Sequence, residues 1–323
     1  MLPDTYSDAD ILAVRSAKNQ VDPQRPYAML VEPEFCAEGV VEDVATLFLS
    51  NRECAFRCLM CDLWKNTTDT RVPLGAIPQQ IRFALQQLPT AQHIKLYNSG
   101  NFFDAQAIPP QDLRAVAELV TDFRTVIVEN HPKLCSDRVA EFQQMCGTQL
   151  EVAMGLETSH PPTLRRLNKQ MTTDDFARAC EVLLHHEIRI RAFVLLRPPG
   201  TTEQEGVDRA IQSVRFAFRH GVNCCAVIPT RTGNGIMDQL LLSGDFAPPT
   251  LRSLETVVDT CVSEFATIDD RRRVFADLWD VEQFSNCEFC LAARIQRLAH
   301  MNLTQTRLLP VVCSHCCEAS RIS

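Results

Sequence analysis

Six short β-rich runs separated by amphipathic stretches dominate the middle of this chain and limit what it can fold into. The runs fall at residues 44–49, 93–97, 125–129, 150–155, 189–195 and 223–228. Between them the apolar residues recur with helical period at 78–88, 110–123, 137–146, 172–186 and 202–220. Ser136 and the Thr172-Thr173-Asp174-Asp175 run supply helix starts, and Gly221 supplies a stop. Strict strand–helix alternation predicts parallel strands joined by crossover helices, in an open doubly wound sheet or in a barrel that does not fully close. In either case chemistry belongs at the carboxyl ends of the strands, where the loops converge.

The unusual residues fall at those ends. The first strand runs into Asn51-Arg52-Glu53-Cys54-Ala55-Phe56-Arg57-Cys58-Leu59-Met60-Cys61, and the second into Asn98-Ser99-Gly100. Glu129-Asn130-His131 follows the third, Gly155-Leu156-Glu157-Thr158 spans the end of the fourth, and Arg197-Pro198-Pro199 follows the fifth. Three cysteines in a C-x3-C-x2-C spacing can each ligate one iron of a cubane cluster, since such clusters are held by cysteine thiolates. Structural zinc wants four protein ligands arranged in C-x2-C pairs, which this triplet alone does not supply. With three ligands, one iron keeps an open position for a bidentate small molecule.

Fifteen cysteines stand among 323 residues, 46% of them hydrophobic and 22% charged, with a net charge of −8. In a reducing compartment clustered cysteines point to metal, whereas scattered ones such as Cys36, Cys180 and Cys261 read as small buried apolar groups. No apolar run nears the ~18 residues of a membrane span, and the first ten residues carry three acids and no base. These features make a cytoplasmic location the expectation, with no membrane partner. An acidic chain is unsuited to broad, non-specific adhesion to nucleic acid. Its two dense basic runs, Arg165-Arg166-Leu167-Asn168-Lys169 and Arg271-Arg272-Arg273, leave room for a local RNA contact.

The triplet on the loop after the first strand resembles the signature of the radical S-adenosylmethionine (SAM) superfamily, with Met60 where an aromatic or hydrophobic residue stands before the third cysteine. The resemblance implies a partial (β/α)6 TIM-like barrel carrying a 4Fe–4S cluster on Cys54, Cys58 and Cys61, with SAM bound at the open iron. It also implies an electron donor such as flavodoxin or ferredoxin. In that superfamily the loop after the second strand holds the SAM amino group, often with Gly-Gly-Glu. Here Asn98, Ser99 and Gly100 occupy it and the carboxylate is absent. Glu157 is similar in position to the residue that reaches the SAM ribose or methionyl part, and Val227 and Ile228 fall where backbone atoms meet adenine. Arg197 is a candidate partner for a carboxylate of SAM or substrate. Glu129 and His131 are the candidate catalytic groups, His131 as a substrate ligand or proton relay.

Longer stretches, among them Ile94-Lys95-Leu96-Tyr97-Asn98-Ser99-Gly100-Asn101-Phe102-Phe103-Asp104 and Leu167-Asn168-Lys169-Gln170-Met171-Thr172, look like the radical SAM subunit of archaeosine synthase and its relatives. More distantly they are similar to the elongator-type radical SAM domain. The closer resemblance implies hydrogen abstraction from a lysine-type adduct on a 7-deazaguanine base of tRNA, with C–N bond cleavage. The tRNA would bind directly or through a helper subunit with a basic surface. The alternatives are the same chemistry on a free small molecule, or a non-enzymatic iron–sulfur or zinc scaffold.

Residues 1–43 are expected to form an N-terminal extension running over the surface to a short extended piece near Tyr27–Val31, residues 44–244 the radical SAM core, and residues 245–323 a C-terminal extension. That extension begins at Phe246-Ala247-Pro248-Pro249, with a helix over 251–266 and a further strand near 273–280 that could present Asp277 or Asp280 to the site. Its last part holds two C-x2-C pairs, Cys287/Cys290 and Cys313/Cys316, 22 residues apart. Spacing alone leaves zinc, an auxiliary iron–sulfur cluster and no metal open there.

Overall fold

The computed structural model describes residues 3–265 and 272–319. One eight-stranded sheet runs through the chain in sequential order. Its strands are β1 (Ala28–Phe35), β2 (Val41–Phe48), β3 (His93–Tyr97), β4 (Thr125–Glu129), β5 (Gln149–Glu157), β6 (Arg189–Leu196), β7 (Cys224–Pro229) and β8 (Arg273–Ala276). β1 pairs antiparallel with β2, and every later pair is parallel. The helices are α1 (Asp8–Ala13), α2 (Ala76–Leu85), α3 (Leu113–Leu119), α4 (Asp137–Cys146), α5 (Pro161–Arg166), α6 (Thr173–His185), α7 (Glu203–Arg219), α8 (Ile236–Leu242), α9 (Leu251–Phe265), α10 (Glu288–Thr304) and α11 (Ser314–Ala319). None of the helices among the described residues is long and apolar enough to cross a membrane.

The six runs read from the sequence become β2 to β7, and the long crossovers α6 and α7 start on capping boxes, Thr172/Asp175 and Thr202/Glu205. The sheet extends past those six strands, with β1 added at one edge and β8 at the other. Side chains of distant strands meet inside, which shows that the sheet curls into a partial barrel. Tyr97 on β3 and Phe193 on β6 have ring centroids 6.4 Å apart. Deeper in, a buried ionic network replaces an apolar filling. Arg191 on β6 donates to Glu34 on β1 (2.6 Å) and to Glu151 on β5 (2.6 Å), Arg273 on β8 donates to Glu151 (2.8 Å), and Lys95 on β3 pairs with Glu34. Burial disfavours charge on both carboxylates, yet their cationic partners outweigh it and hold Glu34 and Glu151 well below the usual range. The network thus ties five strands at the end of the barrel opposite the loops described below.

The N-terminal residues do more than run over the surface. Ile11 of α1 is fully buried in an apolar cluster with Leu59, Leu167, Leu195, Ile236, Met237, Leu240 and Phe246, against which Met60 and Ile228 pack. Gly235 makes this close approach possible. With φ +92°, any Cβ there would lie 2.1 Å from the Val14 carbonyl oxygen. The predicted strand near 273–280 is shorter than expected, β8 ending at Ala276. Asp277 then pairs with Arg231 (2.9 Å), and Asp280 is exposed in a left-handed turn. Ala266 and Arg271, parts of the expected helix and basic run, lie outside the described residues.

Candidate active site at the barrel mouth

The loops after β2, β3, β4 and β5 converge on the cysteine triplet. Cys58 is buried, and Cys54 and Cys61 are partly so. Burial pushes all three thiols up, Cys58 to about 11, while the ammonium of Lys169 pulls Cys54 and Cys58 back. Thiols in this environment ionise readily only when a metal takes the place of the proton. The loop itself is anchored on every side. Glu53 pairs with Arg15, Lys18 and Arg57. The Leu59 N–H donates to the Leu167 carbonyl (2.8 Å), and Asn234 Nδ2 donates to the carbonyls of Leu59 (2.7 Å) and Cys61 (3.2 Å).

The β3 loop carries the clearest ligand signal. Asn98 is fully buried, and neither its Oδ1 nor its Nδ2 has a hydrogen-bond partner among the described residues. A buried amide left unpaired on both atoms costs on the order of 1–3 kcal/mol per group, so such an arrangement calls for an occupant. A Cβ built on Gly100 would sit 3.4 Å from the Cβ of Cys54 and 3.8 Å from Asn98 Nδ2, so this amide lies beside the triplet. Ser99 is held by Tyr27, with the hydroxyls 2.8 Å apart. Asn101 links two loops, donating from Nδ2 to Cys54 Sγ (3.1 Å) and accepting at Oδ1 from the His131 N–H (2.8 Å).

Glu129 faces this loop from below. Its carboxylate accepts the backbone N–H of Asn98 (3.0 Å) and is also hydrogen-bonded by the amides of Ser99 and Gly100. Desolvation outweighs these donors and pushes its pKa up to about 7. The folded state therefore holds a proton that the unfolded chain releases near 4.5, and stability falls as pH rises from about 5 to about 7. A single such group contributes a slope of up to about 1.4 kcal/mol per pH unit. Glu129→Gln is expected to remove that slope, measured as the difference between wild-type and variant denaturation midpoints at pH 5, 6 and 7. Parallel profiles would show that Glu129 is already ionised at pH 5.

His131 is a buried group with both ring nitrogens engaged. Nδ1 accepts from the Lys133 N–H (3.2 Å), which leaves Nε2 to donate to the Lys169 carbonyl (3.0 Å). Burial first, and then the Lys169 charge, lower its pKa to about 3, so the imidazole is neutral. Phe56 of the cysteine loop stacks on it at 3.8 Å between centroids. This geometry makes His131 a brace between loops.

At the end of β5 the register shifts between Gly155 and Glu157, and Glu157 has a positive φ. Its carboxylate pairs with Lys169 at 2.7 Å, both side chains being buried. Asn168 and Gln170, the neighbours of Lys169, also have positive φ, a strained backbone of the kind concentrated at functional sites. Gly155 is required here. A Cβ on it would lie 2.1 Å from Glu157 Oε1 and 2.3 Å from Lys169 Nζ. Gly155→Ala is expected to displace the pair and lower stability by on the order of 1–3 kcal/mol, read from the denaturation midpoint. An unchanged midpoint would mean that the pair relaxes freely.

Other predicted residues divide. Met60 and Ile228 are partly buried against the apolar cluster that holds Ile11 and Leu59, and Val227, expected to offer backbone atoms, turns its side chain into the main core. The Arg197 guanidinium is bound to Glu203 and to the Pro248 carbonyl (2.7 Å). In the basic run Lys169 is buried, and Arg166 donates to the carbonyls of Pro3 and Pro199. In the C-terminal extension Cys287, Cys290, Cys313 and Cys316 gather with their sulfurs all within 4.8 Å of one another. Asn101 and Lys169 were not singled out as site residues from sequence.

No family model matches the chain. In sequence it is similar to archaeosine synthase subunit beta of Methanosarcina acetivorans, 28% identical over 235 residues, 67% of this chain and 66% of that protein. It is also similar to the same subunit of Thermococcus kodakarensis, 25% identical over 210 residues, 62% of this chain and 65% of that protein. An uncharacterised Methanocaldococcus jannaschii protein is 21% identical over 249 residues, 72% of this chain and 68% of that protein. The chain thus spans about two thirds of the length of these relatives. In fold it resembles methylornithine synthase (TM-score 0.54, 12% identity, 90% of this chain and 80% of that one). It likewise resembles the archaeal Elp3 of Methanocaldococcus infernus (TM-score 0.51, 14% identity, 70% and 59%). The likeness to archaeosine synthase subunit beta read from the longer stretches is thus found in sequence, and the partial barrel is shared with these solved structures.

Proposed function

We propose that the chain is a radical SAM enzyme in which Cys54, Cys58 and Cys61 hold a 4Fe–4S cluster and the amino and carboxylate groups of SAM take its open iron. When bound, this pair supplies reductive cleavage of SAM to a 5′-deoxyadenosyl radical that abstracts hydrogen from substrate. The observation that carries the reading is Asn98 beside Cys54, fully buried and with neither amide atom paired among the described residues. Its Oδ1 can accept from an amino group, the work the absent Gly-Gly-Glu acid does elsewhere, and its Nδ2 can in addition donate to a carboxylate. Glu129 shapes the loop that presents Asn98, Ser99 and Gly100. Glu157, oriented by Lys169, offers a carboxylate to the ribose or methionyl part. Met60 and Ile228 give the mouth apolar walls that keep water from a radical.

For substrate we propose a lysine-type adduct on a 7-deazaguanine base of tRNA, cleaved at a C–N bond. This rests on the similarity to proteins named archaeosine synthase subunit beta. The net charge of −8 and the inward turn of Lys169 make a helper subunit with a basic surface the natural tRNA-binding partner. The same two observations favour a second reading, the same chemistry on a free small molecule. Flavodoxin or ferredoxin would deliver the electron.

The test is anaerobic reconstitution, dithionite and SAM, with 5′-deoxyadenosine as the readout, first alone and then with adduct-bearing tRNA or the free adduct. Faster formation with the tRNA supports the first substrate, and faster formation with the free adduct supports the second. Iron bound with no deoxyadenosine under any of these conditions would leave the scaffold reading in place of the enzyme.

A further inference from the structure

Nothing in the proposed radical chemistry uses the C-terminal cysteines, but they sit at a mechanically important place. The sheet is open between β1 and β8, and α10 packs against both strands there. It also completes the hydrogen bonding of β8. Gln305 Oε1 accepts the Val274 N–H (2.7 Å), Asn302 Oδ1 accepts the Ala276 N–H (2.8 Å), and Asn302 Nδ2 donates to the Ala276 carbonyl (2.9 Å). These side chains do for the edge of β8 what a ninth strand would do, and a covered edge does not recruit other chains.

The helix is not held there by an apolar stripe alone. Its buried face carries Arg294 and Arg297, which pair with Glu255 and Asp259 of α9. Arg297 also donates to the carbonyls of Leu308 (2.6 Å) and Leu309 (2.8 Å), so the chain after α10 turns back along it. That return brings Cys313 and Cys316 to Cys287 and Cys290. Cys287 and Cys313 have sulfurs 3.9 Å apart, and Cys290 and Cys316 have theirs 3.5 Å apart.

Those separations select among occupants. Four thiolates at about 2.3 Å around one tetrahedral zinc have neighbouring sulfurs about 3.8 Å apart. A cubane sets each thiolate on a different iron and spreads the sulfurs farther, and a disulfide needs about 2.05 Å. The surroundings fit as well, since Arg294 Nε donates to Cys290 Sγ at 3.1 Å and would stabilise the thiolate. His315 stacks on Phe289 at 3.8 Å across the two cysteine turns and is not needed as a ligand.

We infer that Cys287, Cys290, Cys313 and Cys316 bind one zinc ion tetrahedrally, and that this ion is the clasp holding α10 over the seam between β1 and β8. The site is independent of the triplet, so the two can fail separately. In the full-length protein carrying Cys54→Ala, Cys58→Ala and Cys61→Ala, about one zinc per chain and no iron is expected. In Cys313→Ser/Cys316→Ser the zinc is lost while triplet iron remains. Cobalt-substituted wild-type protein should show the thiolate charge-transfer and visible bands of a tetrahedral sulfur site, which needs no variant to fold. Removing zinc should speed hydrogen exchange at the Val274 and Ala276 amides about tenfold or more and leave Val128 and Val152 unchanged. Iron with sulfide in the triplet variant, a thiol count showing two disulfides, or metal-free protein would each overturn the zinc site. Unchanged exchange at Val274 and Ala276 would overturn the clasp.

Discussion

Cys58→Ala is expected to yield a folded, colourless protein that releases no 5′-deoxyadenosine above background. In the proposed cluster each thiolate of the triplet would serve one iron, so losing one would leave two irons without a protein ligand and no defined open position for SAM. The loss should not come from unfolding. Cys58 is only 8% exposed and its thiol is small, so truncation to alanine leaves a void worth about 1 kcal/mol. The loop around it keeps its Glu53, Asn168 and Asn234 anchors. Cys146→Ala is the matched control, because Cys146 is also a buried cysteine, at the last position of α4, and belongs to neither cysteine cluster. It should lose similar stability and retain full iron content and cleavage. Cys58→Ala with wild-type cleavage would end the assignment of the triplet.

The barrel was legible in the sequence because a sheet buried on both faces leaves near-continuous apolar runs bounded by helix caps. β3 and β4 begin and end where the sequence places them, and α4 does too. α10 was hidden for a physical reason. The face it buries includes Arg294 and Arg297, whose charges are neutralised by Glu255 and Asp259 on another helix. A charged residue on the buried face breaks the apolar period that marks a helix. The same masking applies to the second half of β1, which runs on past the extended piece expected at 27–31 and points Glu34 into the barrel toward Arg191. Partners distant in sequence decide both cases, and a single chain read locally does not announce them.

The site follows the same division. The triplet and the loops after β3 and β5 were visible as clustered polar residues at strand ends. What they do to one another was not. His131, read as a candidate proton relay, has its ring nitrogens committed to Lys133 and Lys169. Asn101 reads as one more loop polar residue until its side chain is seen to join Cys54 to the His131 backbone. The basic run at 165–169 resembles a solvated face in sequence, yet its last member turns inward. The signal available beforehand was its place two residues before Met171, a buried apolar position that pulls the segment against the mouth.

Lys169→Met is expected to be the most damaging substitution that leaves all three thiolates in place. Burial opposes charge on Lys169, but the carboxylate of Glu157 and the Cys58 sulfur outweigh it and raise its pKa. The ammonium therefore does two jobs across 2.7 Å to Glu157 and through space to the cysteines. Without it Glu157 is a buried acid with its cation gone, which costs about 3–5 kcal/mol by analogy with other broken buried pairs. The thiols also lose the nearby positive charge that eases their ionisation, so iron uptake should slow and its end point fall. These effects separate in the double variant Lys169→Met/Glu157→Leu. Removing both partners should restore most of the stability, because the stranded charge is gone. Iron loading should stay impaired, because the cation is still missing. Deoxyadenosine formation should stay low in both variants, through absent Glu157 in one and misplaced Glu157 in the other. If iron content recovers together with stability, Lys169 acts only as the counter-ion of Glu157, and its field at Cys54 and Cys58 contributes nothing measurable.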